Sequence, residues 1–122
     1  MSITSDIRQY LIDNSILSAD ECKLNIADTS DEQVVLWLNG GEPVDFGIKP
    51  TIQIQVYSLD IINAENKINS IFNALVADDT VKYKLINNKK TWITAQQQPY
   101  FLEKDSQNRF IWVFNITVIT NR

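Results

Sequence analysis

The chain has 122 residues, 44% hydrophobic and 21% charged, and its 15 acids against 11 bases give a formal net charge of −4. It contains no histidine, one cysteine and three glycines. These counts exclude a Ser–His or Cys–His nucleophilic centre, a zinc site closed by nitrogen and sulfur, and an intramolecular disulfide. The acidic balance opposes the phosphate-neutralising footprint of a non-specific nucleic-acid binder.

The length fits one domain spanning residues 1–122. A chain of this size buries roughly two-thirds of the surface its unfolded form exposes. Five Phe, four Tyr and three Trp supply large anchors for a core or an interface. The opening Met1-Ser2-Ile3-Thr4-Ser5-Asp6 lacks the basic and apolar regions of a signal peptide. The longest strongly apolar run, 110–114, is too short to span a bilayer. A soluble protein made in the cytoplasm is expected, with Cys22 suited to a reducing compartment.

In chain order, residues 2–14 read as a short helix, because Ile3, Ile7, Tyr10 and Leu11 recur on one face. Thr4 or Ser5 can cap it, and Asp6 favours its positive end. The mostly polar stretch to Asp31 reads as loop. Residues 33–38 read as a strand ended by Asn39-Gly40-Gly41, and 42–49 as a loop. Residues 51–57 alternate strictly, with Ile52, Ile54 and Val56 on one face and Gln53, Gln55 and Tyr57 on the other. Ser58 or Asp60 can cap a helix over 61–77, whose apolar stripe is Ile61, Ala64, Ile68, Ile71, Phe72 and Leu75. Asp78 and Asp79 close it, and Tyr83, Leu85 and Ile86 make a short strand or turn. Two long strands follow, 91–102 and 109–120, joined by the polar turn 104–108. The expected fold is therefore α+β, in the order α-β-β-α-β-β. It has a four-stranded, mainly antiparallel sheet with helices packed on one face. The other face is left partly open, and a partner is its natural cover.

Few residues remain for chemistry. Gly40-Gly41 is not followed by the Gly-Lys-Ser/Thr of a phosphate-binding loop and reads as a turn. Asp28, Asp31 and Glu32, Asp78 and Asp79, and Glu103 and Asp105 lie in predicted loops or at helix ends. Capping and solubility explain them better than paired-carboxylate catalysis, and no EF-hand spacing supports a metal. Lys82, Lys84, Lys89 and Lys90 form the one dense basic patch, and with Asp78 and Asp79 beside it a solvated face is the preferred reading. No catalytic residue, metal or cofactor is expected. Trp92 and Trp112 read as core or sheet-face residues. Trp37 and Phe46 flank a glycine-bearing loop and are candidate partner anchors; for Trp37 the core reading is preferred, and for Phe46 both stay open. Gln96-Gln97-Gln98 is either an interface element or a wet strand edge.

From residue 51 onward the chain resembles the phage tail-terminator and tail-completion proteins, the small minor capsid proteins of siphophages among them, in the general plan of the lambda tail terminator. The resemblance rests on Ile52-Gln53-Ile54-Gln55-Val56-Tyr57 with a helix directly behind it, on Gln98-Pro99-Tyr100-Phe101-Leu102 entering a polar turn, and on Gln107-Asn108-Arg109-Phe110 opening a terminal strand that carries Asn115. The opening helix also suits the family. The layout carries the likeness, over about two-thirds of the chain. It implies a non-enzymatic virion protein of the tail or neck, assembled in the host cytoplasm. Such proteins form a ring, commonly a hexamer, that caps the tail tube and meets the head–tail connector, with no nucleic-acid specificity and no membrane partner. Under this reading Trp37, Glu42, Phe46, Gln53, Gln55 and Tyr57 are interface candidates. The rivals are a head–tail connector (neck) protein and a small monomeric inhibitor or immunity-type binding protein.

Overall fold

The computed structural model describes residues 3–44, 47–76 and 83–120, with the backbone alone over 39–44 and 47–49. In chain order the elements are α1 (Ile3–Asp13), β1 (Cys22–Leu24), β2 (Gln33–Val44), β3 (Gly47–Ser58), α2 (Ile61–Leu75), β4 (Lys84–Ile86), β5 (Lys89–Ala95), β6 (Tyr100–Lys104) and β7 (Phe110–Thr120).

The strict alternation of 51–57 is the middle of the molecule. It runs antiparallel to β2 on one side and to β7 on the other. Ile52, Ile54 and Val56 face the helices, where they join Val34 and Leu36 of β2 and Phe114, Ile116 and Val118 of β7. Both helices cover this face, α1 through Ile7 and Leu11 and α2 through Ala64, Ile68, Ile71 and Leu75. Phe72 meets Phe114 edge-on, with ring centroids 5.3 Å apart. Ser58 and Asp60 both act at the start of α2. The Asp60 carboxylate accepts the Ile62 and Asn63 N–H groups at 2.9 and 3.3 Å, and the Ser58 hydroxyl accepts the Asp60 N–H at 3.0 Å.

The four-stranded, mainly antiparallel sheet in the order α-β-β-α-β-β is overturned. Seven strands form one curled, mixed sheet, ordered β1-β2-β3-β7-β5-β4, with β6 also paired to β7. Each difference has a physical cause. β1 is three residues long and pairs parallel to β2; a strand that short shows no alternation, and a long-range ladder holds it. Within the region read as the loop 42–49, residues 42–44 and 47–49 instead continue the β2–β3 ladder. A bulge between Leu38 and Gly41 absorbs one residue, so pairing resumes at Gly41 with Pro50. Residues 41–44 and 47–50 form a two-stranded arm, since β1 meets β2 only as far as Leu36 and β3 meets β7 only from Thr51. The strand read as 91–102 breaks into β5 and β6 across residues 96–99, where Pro99 has no N–H to give a ladder. β4 and β5 are joined through Asn87 and Asn88, at φ of 53° and 61°, the positive values a tight two-residue hairpin turn requires.

Candidate assembly face

The sheet face away from the helices carries the odd-numbered residues of β2, β3 and β7. Val35, Tyr57 and Ile111 form a small buried cluster there, with Ala27 and Trp37 packed against it. The rest of the face is bound together by hydrogen bonds. The Trp37 indole N–H donates to the Gln55 oxygen at 2.9 Å, and the Tyr57 hydroxyl donates to the same oxygen at 2.7 Å. The Gln55 amino group donates to the Gln53 oxygen at 2.9 Å. Burial pushes the Tyr57 hydroxyl above its ordinary pKa of 10.0, so it stays a donor. Four interface candidates, Trp37, Gln53, Gln55 and Tyr57, are thereby joined in one network. The Glu42 side chain and all of Phe46 lie outside the described residues.

One end of this face is closed by Arg109, whose exposure is 7%. Its guanidinium lies over the Tyr57 ring at 4.7 Å from the centroid. It bonds the Asp105 carboxylate through Nε and NH2, each at 2.8 Å. It also donates to the Asp28 and Ser30 carbonyls at 2.8 and 2.9 Å, fastening the 25–31 segment to the β6–β7 turn. From the other side the Gln33 side chain donates to both of those carbonyls and accepts the Asp28 N–H. Burial is the largest influence on the Asp105 carboxyl and pushes it up. The Arg109 backbone N–H, its side chain and the Gln107 N–H together outweigh that and hold it below its ordinary 3.8.

At the break between β5 and β6, side chains replace the missing ladder. The Gln96 N–H donates to the Asn115 carbonyl at 2.9 Å, and the Asn115 N–H donates to the Gln97 side-chain oxygen at 3.2 Å. The Gln96 amino group reaches the Thr117 hydroxyl at 3.2 Å. Beyond the break every residue of β6 is exposed, including Tyr100, Phe101 and Leu102.

Little here suits catalysis. Among the described residues no group of three or more His, Cys, Asp or Glu side chains is gathered. Cys22 is buried, and that burial pushes its thiol up to about 11, which disfavours the nucleophilic thiolate. Asp28 takes the Ser30 N–H and an ion pair with Lys23 at 3.5 Å, Glu32 accepts from Ser58 at 2.9 Å, and Asp105 is held by Arg109. A cleft of about 450 Å³ between α2 and the β2–β3 pair is lined by Glu21, Glu32, Asn63 and Lys67. Its one ammonium is already paired, Lys67 with Glu21 at 3.1 Å. Among the described residues no helix is long and apolar enough to cross a membrane.

The sequence matches the family of bacteriophage tail terminator proteins over residues 10–122. The chain belongs to that family. It is a structural protein of the phage tail. The fold is similar to that of a chain in the virion of a native gene transfer agent particle, with a TM-score of 0.61 at 11% identity, covering 98% of this chain and 96% of the other. No curated protein sequence matches significantly.

For a tail terminator family member, the sequence singled out the polar side of β3 but not what orients it. Arg109 and Asp105 stand four residues apart across a turn, and nothing in that spacing announces a buried ion pair reaching Asp28 and Ser30, about eighty positions earlier. Gln97 and Asn115 were visible as an amide run and as a lone amide on the last strand, but not as partners. Trp112 packs against the helix-side core. Trp92 meets Tyr83 edge-on at 5.9 Å.

Proposed function

We propose that this protein forms a closed ring, of six copies in the family's common form, that caps the tail tube, stops its growth and presents a surface to the head–tail connector. The role is structural, without catalysis or cofactor, in the tail or neck of the virion, with assembly in the host cytoplasm. The observation that carries the reading is the family match over almost the whole chain. The sheet supports it: one face is covered by helices, and the other is half-buried, uncharged over residues 51–57 of β3 and ordered by its own hydrogen bonds. A ring needs head-to-tail contacts between two different surfaces of the same chain. The arm of residues 41–44 and 47–50 and the network of Trp37, Gln53, Gln55 and Tyr57 are two such surfaces. A ribbon of two strands without a third is marginal in water, so the arm gains most from a neighbour.

The test is native mass by light scattering after size exclusion, across protein concentration, alone and with tail tubes. A discrete ring-sized species is expected, in solution or on the tube. Glu42→Lys and Phe46→Ala should each weaken assembly and leave the monomer folded. A species of unchanged size in both variants would remove the arm from the interface.

A further inference from the structure

The hydrogen bonds of the open face run in one direction. An indole N–H can only donate, so the carbonyl oxygen of Gln55 must be the atom that faces Trp37. Gln55 is then left with its amino group, which donates to the Gln53 oxygen. Gln53 is left in turn with its own amino group, and that group has no partner among the described residues. Gln97 is pinned in the same way. Its oxygen accepts the Asn115 backbone N–H, so its amino group points away, again without a partner among the described residues. The register sets Gln53 directly opposite Asn115, so the two free amino groups flank one position on β7. All three residues are half-buried. Both amino groups still reach solvent, since neither is among the buried side-chain atoms without a partner, so in the free chain water can take them. Their fixed orientation leaves little side-chain freedom to lose when an acceptor from outside the chain replaces that water.

We infer that Gln53, Asn115 and Gln97 form a donor patch that receives oxygen acceptors, carboxylates or backbone carbonyls, from a second copy of this chain. The inference rests on the ring reading above and names the chemistry of one of its contacts. Two features of the chain select a second copy as the occupant. The patch is continuous with the Trp37–Gln55–Gln53 network, which the ring reading puts at the subunit contact. The chain is also acidic, 15 acids to 11 bases, so copies of it repel as they approach. Neutral amide donors accept an acidic neighbour without a basic cluster of the kind that would also attract nucleic acid.

Glutamate keeps the inward oxygen and removes the outward amino group. As a control, Asn69→Glu with Asn73→Glu, on the exposed side of α2, adds the same charge away from the patch and should assemble at the wild-type concentration; an equal loss in that control overturns the donor patch. In Gln53→Glu the acceptor for Gln55 remains, and in Gln97→Glu the acceptor for Asn115 remains. The double variant should fold with the Trp37 indole N–H resonance in place and need about tenfold more protein to reach half-assembly, the effect of losing roughly one well-formed hydrogen bond. If Gln53→Glu displaces the Trp37 resonance, Gln97→Glu, between β5 and β6, carries the test alone. Assembly of a folded patch variant at the wild-type concentration overturns the donor patch and leaves the ring standing. A wild-type chain that stays monomeric both alone and with tail tubes overturns both. Wild-type monomers that bind tubes, and lose that binding in the variants, overturn the second copy as the occupant.

Discussion

The two faces of β3 are made by neighbouring residues and obey different physics. Ile52, Ile54 and Val56 are 0%, 0% and 2% exposed, in a core that needs only shape and volume. Gln53, Gln55 and Tyr57 alternate with them and are held by directed bonds, each fixing the orientation of the next. Burial of apolar area is non-directional, so the helix side sets how stable the chain is. A chain of amides has one sense of polarity, so the open side sets what the surface presents. For the ring proposed above, the second property would decide function and the first would allow it.

The sharpest way to separate the faces is to damage each alone. Phe114, fully buried and edge-on to Phe72, belongs wholly to the helix side. Phe114→Ala should cost about 3–5 kcal/mol, read from the urea midpoint, with the Trp37 indole resonance unmoved in the folded fraction. Arg109→Met should cost less, about 2 kcal/mol for the lost charged hydrogen bonds, yet it should shift that resonance. The guanidinium lies on the Tyr57 ring, and Tyr57 shares the Gln55 oxygen with Trp37. If Phe114→Ala moved the Trp37 signal and Arg109→Met did not, the division between the faces would be wrong.

Legibility in the sequence followed the same division. The dry face was readable because a stripe of Ile52, Ile54 and Val56, or of Ala64, Ile68, Ile71 and Leu75, is periodic and local. Asp60 as a cap was readable because a cap acts within three residues. The sheet was undercounted where pairing is long-range: β1 is three residues with no periodicity, the ladder crosses Gly40 and Gly41 through a bulge, and Pro99 splits one apparent strand into two. The polar stripe Gln53, Gln55 and Tyr57 could be seen to face away from the core. That Trp37 fixes its polarity, and that Asn115 orients Gln97, depends on neighbours far apart in the chain.

The smallest expected effect concerns Asp105, and it tests whether the Arg109 clamp belongs to the folded state alone. The Asp105 carboxyl sits below its ordinary 3.8 when folded and returns to it on unfolding. A depressed carboxyl stabilises the fold fully above the unfolded value, and that contribution is lost as pH falls through the folded value. Stability should therefore be level near neutrality and decline below about pH 4. Asp28 is also depressed, chiefly by the Ser30 N–H with Lys23 adding to it, so it contributes to the same limb. Asp105→Asn keeps an oxygen for the Arg109 backbone N–H but removes the charge and the proton uptake. Its stability, measured by urea melts from pH 7 to pH 2, should start below wild type and fall less steeply in acid, with Asp28 supplying the slope that remains. Parallel curves for the two proteins would mean that the Asp105–Arg109 pair persists in the unfolded chain. The clamp would then be a local turn, contributing nothing to the difference between the two faces.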